Sequence, residues 1–209
     1  MGAKTVRVCE YYFSPISPWS YLGHERLLKL AQQYNIKIDM KPVDIGQVFG
    51  ASGGVPLAKR APQRQAYRLQ ELQRWSEFLA IPMNIQPAFF PVSGDLASKL
   101  LIATQLTHGT EVALNLCTEI MRAIWAEQKN ISDGGTLIEL AEQIELDGPA
   151  LLKSADTASV AAEYQRHTQQ AIAANVFGMP WYVFEDQPYW GQDRLDFLER
   201  AFASNPALK

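Results

Sequence analysis

The chain has little cysteine, little histidine and no long apolar run. Its two cysteines, Cys9 and Cys117, lie too far apart to form a CxxC pair. The three histidines show no metal-ligand spacing, so we expect no metal site. No apolar stretch approaches the roughly 20 residues of a membrane-spanning helix, and the first residues contain no apolar core of a signal peptide. We therefore expect a reduced, cytoplasmic protein without a membrane partner.

The chain also has little net charge. The formal net charge is −3, whereas a nucleic-acid-binding protein typically carries a basic excess, so we expect no nucleic-acid partner. Hydrophobic residues make up 47% of the chain and charged residues 20%, which is close to an average globular protein and excludes a disordered one. The length of 209 residues predicts one domain, or one domain carrying an insertion.

The order of predicted elements defines the fold class. Strands are predicted over 6–13 and 36–41 with a helix between them, and a hairpin over 179–190 is followed by a closing helix. The intervening residues show only helical periodicity, over 69–79, 96–107, 113–124, 137–144 and 161–173. This βαβ–helices–ββα order predicts an α/β protein of the thioredoxin plan, with a four-stranded mixed sheet and a DsbA-like helical insertion. We expect a discontinuous thioredoxin-like domain (1–45 and 175–209) and an insertion (46–174) with its own core.

Ser17-Pro18-Trp19-Ser20 begins the first helix, where a thioredoxin-like protein carries its active motif. The spacing is that of CxxC, but both ends are serine, so disulfide exchange at this site is excluded. A helix N-terminus with a hydroxyl beside it can favour the thiolate of a bound ligand. The alternative is that Ser17 only caps the helix.

Two further motifs lie near the C-terminus. Pro180, after Met179, stands where thioredoxin-like folds have a cis-proline whose preceding backbone pairs with a ligand; an ordinary trans-proline is the alternative. Gln192 and Asp193 follow the last strand. Asp193 either caps a helix or receives an ammonium group of a ligand.

Together these motifs resemble the 2-hydroxychromene-2-carboxylate isomerase family, the bacterial relatives of kappa-class glutathione transferases. The resemblance is carried by Ile16–Gly23, Phe177–Pro180 and Trp190–Leu195, and in the helical block by Arg64–Tyr67 with Arg122–Trp125. It runs from about residue 6 to 203. The resemblance implies glutathione as cofactor, an aromatic small-molecule substrate and a homodimer.

The resemblance also implies roles for individual residues. Ser17 would be catalytic by activating the glutathione sulfur, and the backbone at Met179-Pro180 would pair with the cysteinyl part. Gln192 and Asp193 would hold the γ-glutamyl end. Arg64, where the family usually has lysine, would face either the glycyl carboxylate or the substrate. We expect the substrate itself to contact apolar side chains, those of Trp19, Phe89 and Phe90.

The function implied is a glutathione-dependent isomerisation of 2-hydroxychromene-2-carboxylate, or a related aromatic hemiketal, to its open-chain trans enone acid. Reversible addition of a thiolate would let the enone double bond rotate. A kappa-like transferase that conjugates glutathione to an electrophile is one alternative, because it activates the same thiolate. A redox-inactive DsbA-like binding module is another, and a missing glutathione interaction would favour it.

Overall fold

Four strands form one mixed sheet in the computed structural model, which describes residues 6–204. β1 (Val8–Phe13) is parallel to β2 (Lys37–Pro42) and antiparallel to β3 (Trp181–Phe184). β3 pairs with β4 (Gln187–Trp190) in a hairpin, and the strand order is β2-β1-β3-β4. The predicted four-stranded mixed sheet of the thioredoxin plan is therefore confirmed.

The remaining elements are mainly helices. α1 (Pro18–Tyr34) connects β1 to β2, with Ser17 as its N-cap and Asn35 in the left-handed conformation at its C-cap. The helices that follow are α2 (Ile45–Ser52), α3 (Pro62–Leu79), α4 (Asp95–His108), α5 (Thr110–Trp125), α6 (Gly134–Glu142), α7 (Gly148–Ala155), α8 (Ala158–Ala173) and α9 (Leu195–Ala203). Within residues 6–204, no helix combines the length and apolar character needed to cross a bilayer.

Side chains alternate across the sheet and divide its packing between two faces. Tyr11 and Phe13 of β1 lie in the larger core with α1 and α9. Tyr12, which points the other way, belongs to a smaller cluster that includes Val48 of α2 and Ala171 of α8. Helices therefore cover both faces of the sheet.

The larger core continues from the sheet into the inserted helices. Cys9 of β1 and Leu140 of α6 belong to the same buried cluster. Leu100–Ala103 are four consecutive buried residues in α4, so this helix contacts apolar neighbours on all sides. One buried cluster therefore spans the sheet and the inserted helices. The division into two domains, its boundaries and a core belonging to the insertion stay predictions.

Candidate active site

Three predicted motifs meet at one edge of the sheet. Tyr12 pairs with Trp181, and Trp181 pairs with Trp190. The chain that leaves β1 toward Ser17 therefore lies beside the residues that precede β3 and those that follow β4. The Gly191 N–H donates to the carbonyl oxygen of Pro180 at 2.9 Å, which joins the second and third motifs directly.

Ser17 caps α1 through its side-chain oxygen, and its hydroxyl hydrogen stays unbonded among the described residues. Its Oγ accepts the N–H of Ser20 at 3.2 Å, and its own N–H donates to the Ser14 carbonyl oxygen at 2.9 Å. Among residues 6–204, the Ser17 hydroxyl donates no hydrogen bond. The residue is 6% exposed. Capping therefore uses a lone pair of the oxygen and leaves the O–H available to a ligand.

The start of α1 offers a second donor. Pro18 has no N–H, and the N–H groups of Ser20 and Tyr21 are bonded to Ser17. The Trp19 N–H has no acceptor among the described residues. The start of α1 therefore holds two unbonded donors beside the positive end of the helix dipole. Such an arrangement stabilises a thiolate against its thiol and so lowers the pKa of a thiol ligand.

The protein's own thiols do not supply that thiolate. Cys9 and Cys117 are both buried. Burial raises the pKa of both thiols well above the usual value, and Glu10 and Asp39 add to the effect at Cys9. Protonated, inaccessible thiols are poor nucleophiles. The thiolate that this site can stabilise must therefore come from a ligand.

The backbone before β3 carries unpaired polar groups at Met179, a residue that is 5% exposed. The Met179–Pro180 peptide bond is cis, as predicted. Among residues 6–204, neither the N–H nor the carbonyl oxygen of Met179 has a backbone partner. Gly178 allows the Trp190 ring to approach closely, since a Cβ there would lie 2.5 Å from the indole Nε1. Met179 is therefore free to pair with an extended peptide-like ligand.

Gln192 and Asp193 lie in very different surroundings. Gln192 is buried, and both its Oε1 and its backbone oxygen accept from Arg26 Nη1, at 2.8 and 3.1 Å. The side chain thus holds its turn against α1, where Gly23 leaves room for it. Asp193 is exposed, and its Oδ2 accepts from Arg194 at 2.7 Å. The exposed carboxylate of Asp193 is therefore accessible to an ammonium group of a ligand. The predicted contact of Gln192 with a ligand stays a prediction.

The structure brings the predicted substrate-binding residues together only in part. Phe90 lines a cavity of about 380 Å³ beside α3. Phe89 is 42% exposed, and Arg64 is exposed at the start of α3; neither is part of the lining. Trp19 is partly buried at the start of α1. The cation in the cavity wall is Arg68, which the sequence reasoning missed although it lies one helical turn after Arg64.

A buried histidine anchors α1 beneath the site. His24 Nε2 lies 3.2 Å from the Leu114 carbonyl oxygen, and Nδ1 lies 3.3 Å from the Tyr11 hydroxyl. Since a carbonyl only accepts, Nε2 carries the proton, and the Tyr11 hydroxyl donates to Nδ1. Burial lowers the pKa of His24 to about 4. The neutral ring therefore ties α1 to both β1 and α5.

Acid is expected to weaken the fold through His24. An unfolded histidine binds a proton near its usual pKa of about 6.5, whereas the folded one does so only near 4. The unfolded state then binds more protons over this interval, so stability falls as the pH drops from 6.5 to 4, by up to about 3 kcal/mol. Urea unfolding at several pH values measures the effect.

The variant His24→Gln isolates this contribution, because glutamine has no proton to gain in that range. Burial also lowers the pKa of His167 and acts in the same direction, so the wild-type curve alone does not assign the effect. The pH dependence of His24→Gln should be flatter than that of the wild type between pH 4 and 6.5. Parallel curves for the two proteins would contradict the prediction.

Comparison with known proteins agrees with this fold. The model of the DSBA-like thioredoxin domain family matches residues 8–203. The chain is 29% identical over 194 residues to 2-hydroxychromene-2-carboxylate isomerase from Sphingobium xenophagum, covering 92% of this chain and 96% of that one. It is 24% identical over 202 residues to glutathione S-transferase kappa 1 from Rattus norvegicus, covering 92% and 89%.

The chain belongs to the DSBA-like thioredoxin domain family. Its structure is also similar to a solved structure of a 2-hydroxychromene-2-carboxylate isomerase, with a TM-score of 0.79, 28% identity and 93% of each chain covered. The resemblance inferred from the motifs is thereby confirmed. Serine at both Ser17 and Ser20 separates the chain from the redox-active form of a CxxC site.

Proposed function

We propose that this protein is a glutathione-dependent isomerase that interconverts 2-hydroxychromene-2-carboxylate, or a related aromatic hemiketal, with its open-chain trans enone acid. The observation that carries the proposal is the pair of unbonded donors at the start of α1, the Ser17 hydroxyl and the Trp19 N–H. The backbone of Met179, which has no backbone partner among the described residues, lies at the same end of these strands. Similarity to proteins named as isomerases of this kind supports the reaction class.

These residues fit glutathione, which combines a thiol with a short peptide backbone and an ammonium group. Ser17 and Trp19 would donate to the sulfur and hold it as a thiolate near neutral pH. Met179 would pair with the backbone of the cysteinyl part. Asp193, exposed at the end of the third motif, would accept from the γ-glutamyl ammonium group in exchange for Arg194.

Bound glutathione would supply a thiolate that adds reversibly to the conjugated double bond of the substrate, so that rotation becomes possible. The protein has two tasks in that reaction. Ser17 and Trp19 keep the sulfur deprotonated, and a cation near the substrate stabilises the negative charge that develops on its oxygen. Arg64 and Arg68 of α3 are the candidates for that cation.

A kappa-class transferase activity is the second candidate, because the chain is also similar to glutathione S-transferase kappa 1. Both reactions need the same thiolate, so the site does not distinguish them. They differ in the fate of glutathione. An isomerase returns it unchanged, whereas a transferase consumes one molecule for each electrophile that it converts.

Calorimetry with glutathione at neutral pH, followed by a turnover assay, tests the proposal. We expect glutathione to bind with release of a proton and with the ultraviolet absorbance of a thiolate. The chromene carboxylate should then interconvert with its enone while the total free glutathione stays constant. Stoichiometric loss of glutathione would favour the transferase. If the protein does not bind glutathione at millimolar concentration, both proposed enzyme activities are wrong and the redox-inactive binding module is favoured.

A further inference from the structure

The cavity beside α3 has the size and lining of a small-molecule site. Its volume of about 380 Å³ lies within the roughly 300–1,000 Å³ typical of ligand pockets. Its wall combines apolar side chains with the polar side chains of Gln65, Gln86 and Arg68; the apolar ones are Leu57, Leu69, Ile85, Pro87, Phe90 and Pro91. A planar aromatic ligand would find favourable surface there.

The segment that forms one wall of the cavity is held at both flanks by residues around the start of α1. One wall is the segment 85–91, and α1 and the Ser14–Ser17 loop contact that segment's two flanks. On one side, the Tyr21 hydroxyl donates to the Pro82 carbonyl oxygen at 2.7 Å. On the other, a Cβ at Gly94 would lie 3.2 Å from Ile16. The segment therefore spans between Ile16, one residue before Ser17, and Tyr21, one helical turn after it.

Arg68 is the one charged side chain among the residues that line the cavity. Within residues 6–204, its guanidinium has neither an acidic partner nor a hydrogen-bond acceptor, and it lies 5.2 Å from the centre of the Phe90 ring. The Phe90 ring in turn lies 4.8 Å from that of buried Trp125, which fixes the wall. Burial and the nearby Arg60 lower the pKa of Arg68 to about 10. The side chain thus stays charged at neutral pH without a protein anion beside it.

The arginines near Arg68 also lack acidic partners in the described part of the chain, which favours binding of an anion there. Arg60 is bonded through Nε to the Val55 carbonyl oxygen, and no acidic side chain among the described residues neutralises Arg60 or Arg64. Farther along the same helix, Arg74 has its acid, Glu71, at 2.6 Å. The first half of α3 therefore carries uncompensated positive charge and the second half does not. A partly buried cation of this kind gains most from an ionised ligand group.

We propose that Arg68 is the specificity-determining residue of this cavity, where its guanidinium holds the carboxylate of an aromatic acid whose ring lies against Phe90. Arg68 then determines specificity for acids over neutral analogues. That this ligand is the substrate of the isomerisation rests on the proposed function, whereas its binding does not. Arg68 rather than Arg64 is the residue that selects the carboxylate.

Binding of 2-naphthoate and of its neutral analogue 2-naphthamide, measured by calorimetry without glutathione, tests the proposal. A hydrogen-bonded charge pair predicts that the wild type binds the acid about 10- to 100-fold more tightly than the amide. Arg68→Met keeps the apolar stem and removes the charge, so it should bind both compounds with the affinity of the amide. Arg68→Lys should recover part of the preference.

Two controls separate this inference from other outcomes. Arg74→Met, on the same helix, should keep the full preference for the acid, and circular dichroism checks that each variant folds. Equal binding of acid and amide by the wild type would overturn the proposal, as would loss of the preference in Arg64→Met but not in Arg68→Met. A wild-type protein that selects the acid but does not bind glutathione would refute only the proposed function.

Discussion

Replacing Ser17 with alanine is expected to lower the turnover of the chromene carboxylate by about 10²- to 10³-fold, as loss of one preorganised donor at a developing charge typically does. The variant should still bind glutathione, because the Met179 backbone is unchanged. The bound thiol should no longer ionise at neutral pH. Turnover and the thiolate absorbance of bound glutathione measure the two effects.

Capping complicates this substitution, because Ser17 also bonds the Ser20 N–H. Alanine removes the cap at a cost of about 1 kcal/mol, whereas glycine at an N-cap costs only a few tenths. Ser17→Gly therefore keeps most of the stability and lacks the hydroxyl, and it should be as inactive as Ser17→Ala. Ser17→Thr keeps both the cap and the hydroxyl and should retain activity. Wild-type turnover in Ser17→Gly would show that Ser17 is only a cap.

The sequence predicted the parts of the site that depend on local signals. Serine followed by proline marks a helix start wherever it stands, and α1 begins at Pro18 with Ser17 as its cap. The same signal predicted the helix on which the candidate site lies, and the β-branched and aromatic composition of β1 predicted the strand that precedes it. Strand order then followed from the βαβ and ββα connections, because few topologies join those elements.

Elements with weak local signals were missed. α2 and α7 have eight residues each, so apolar periodicity has too few turns to show. α2 buries only Val48 within its span. Tertiary contact, rather than amphipathic pattern, decides that such short segments are helical.

The side-chain environments of the site depend on residues distant in sequence. Gln192 is buried because Arg26, 166 positions away, donates to its oxygen atoms. Arg68 lines the cavity because the segment 85–91 lies across α3. Helical spacing alone could have suggested Arg68 beside Arg64, but it does not tell which of the two faces the cavity. Glutathione use, the homodimer and the cytoplasmic location stay predictions.

Truncating Trp125 is expected to destabilise the fold more than other single aromatic changes. The side chain is fully buried in the core that joins the sheet to the insertion. Trp125→Ala would leave a cavity that the surrounding helices fill only in part, at a cost of about 3–5 kcal/mol. That is a large share of the roughly 5–15 kcal/mol of a typical domain. Urea unfolding gives the free energy.

Phe78→Ala is the matched control, since Phe78 lies on α3 and is 79% exposed; its cost should stay within about 0.5 kcal/mol. Trp125→Phe should cost less than alanine for two reasons. Phenylalanine fills most of the volume, and the Trp125 Nε1 has no acceptor among the described residues, so its loss removes an unsatisfied buried donor. Equal stability of Trp125→Ala and Phe78→Ala would contradict the shared core. The Phe90 ring contacts that of Trp125. If Trp125→Phe folds but no longer prefers naphthoate to the amide, the buried core determines the shape of the cavity that Arg68 lines.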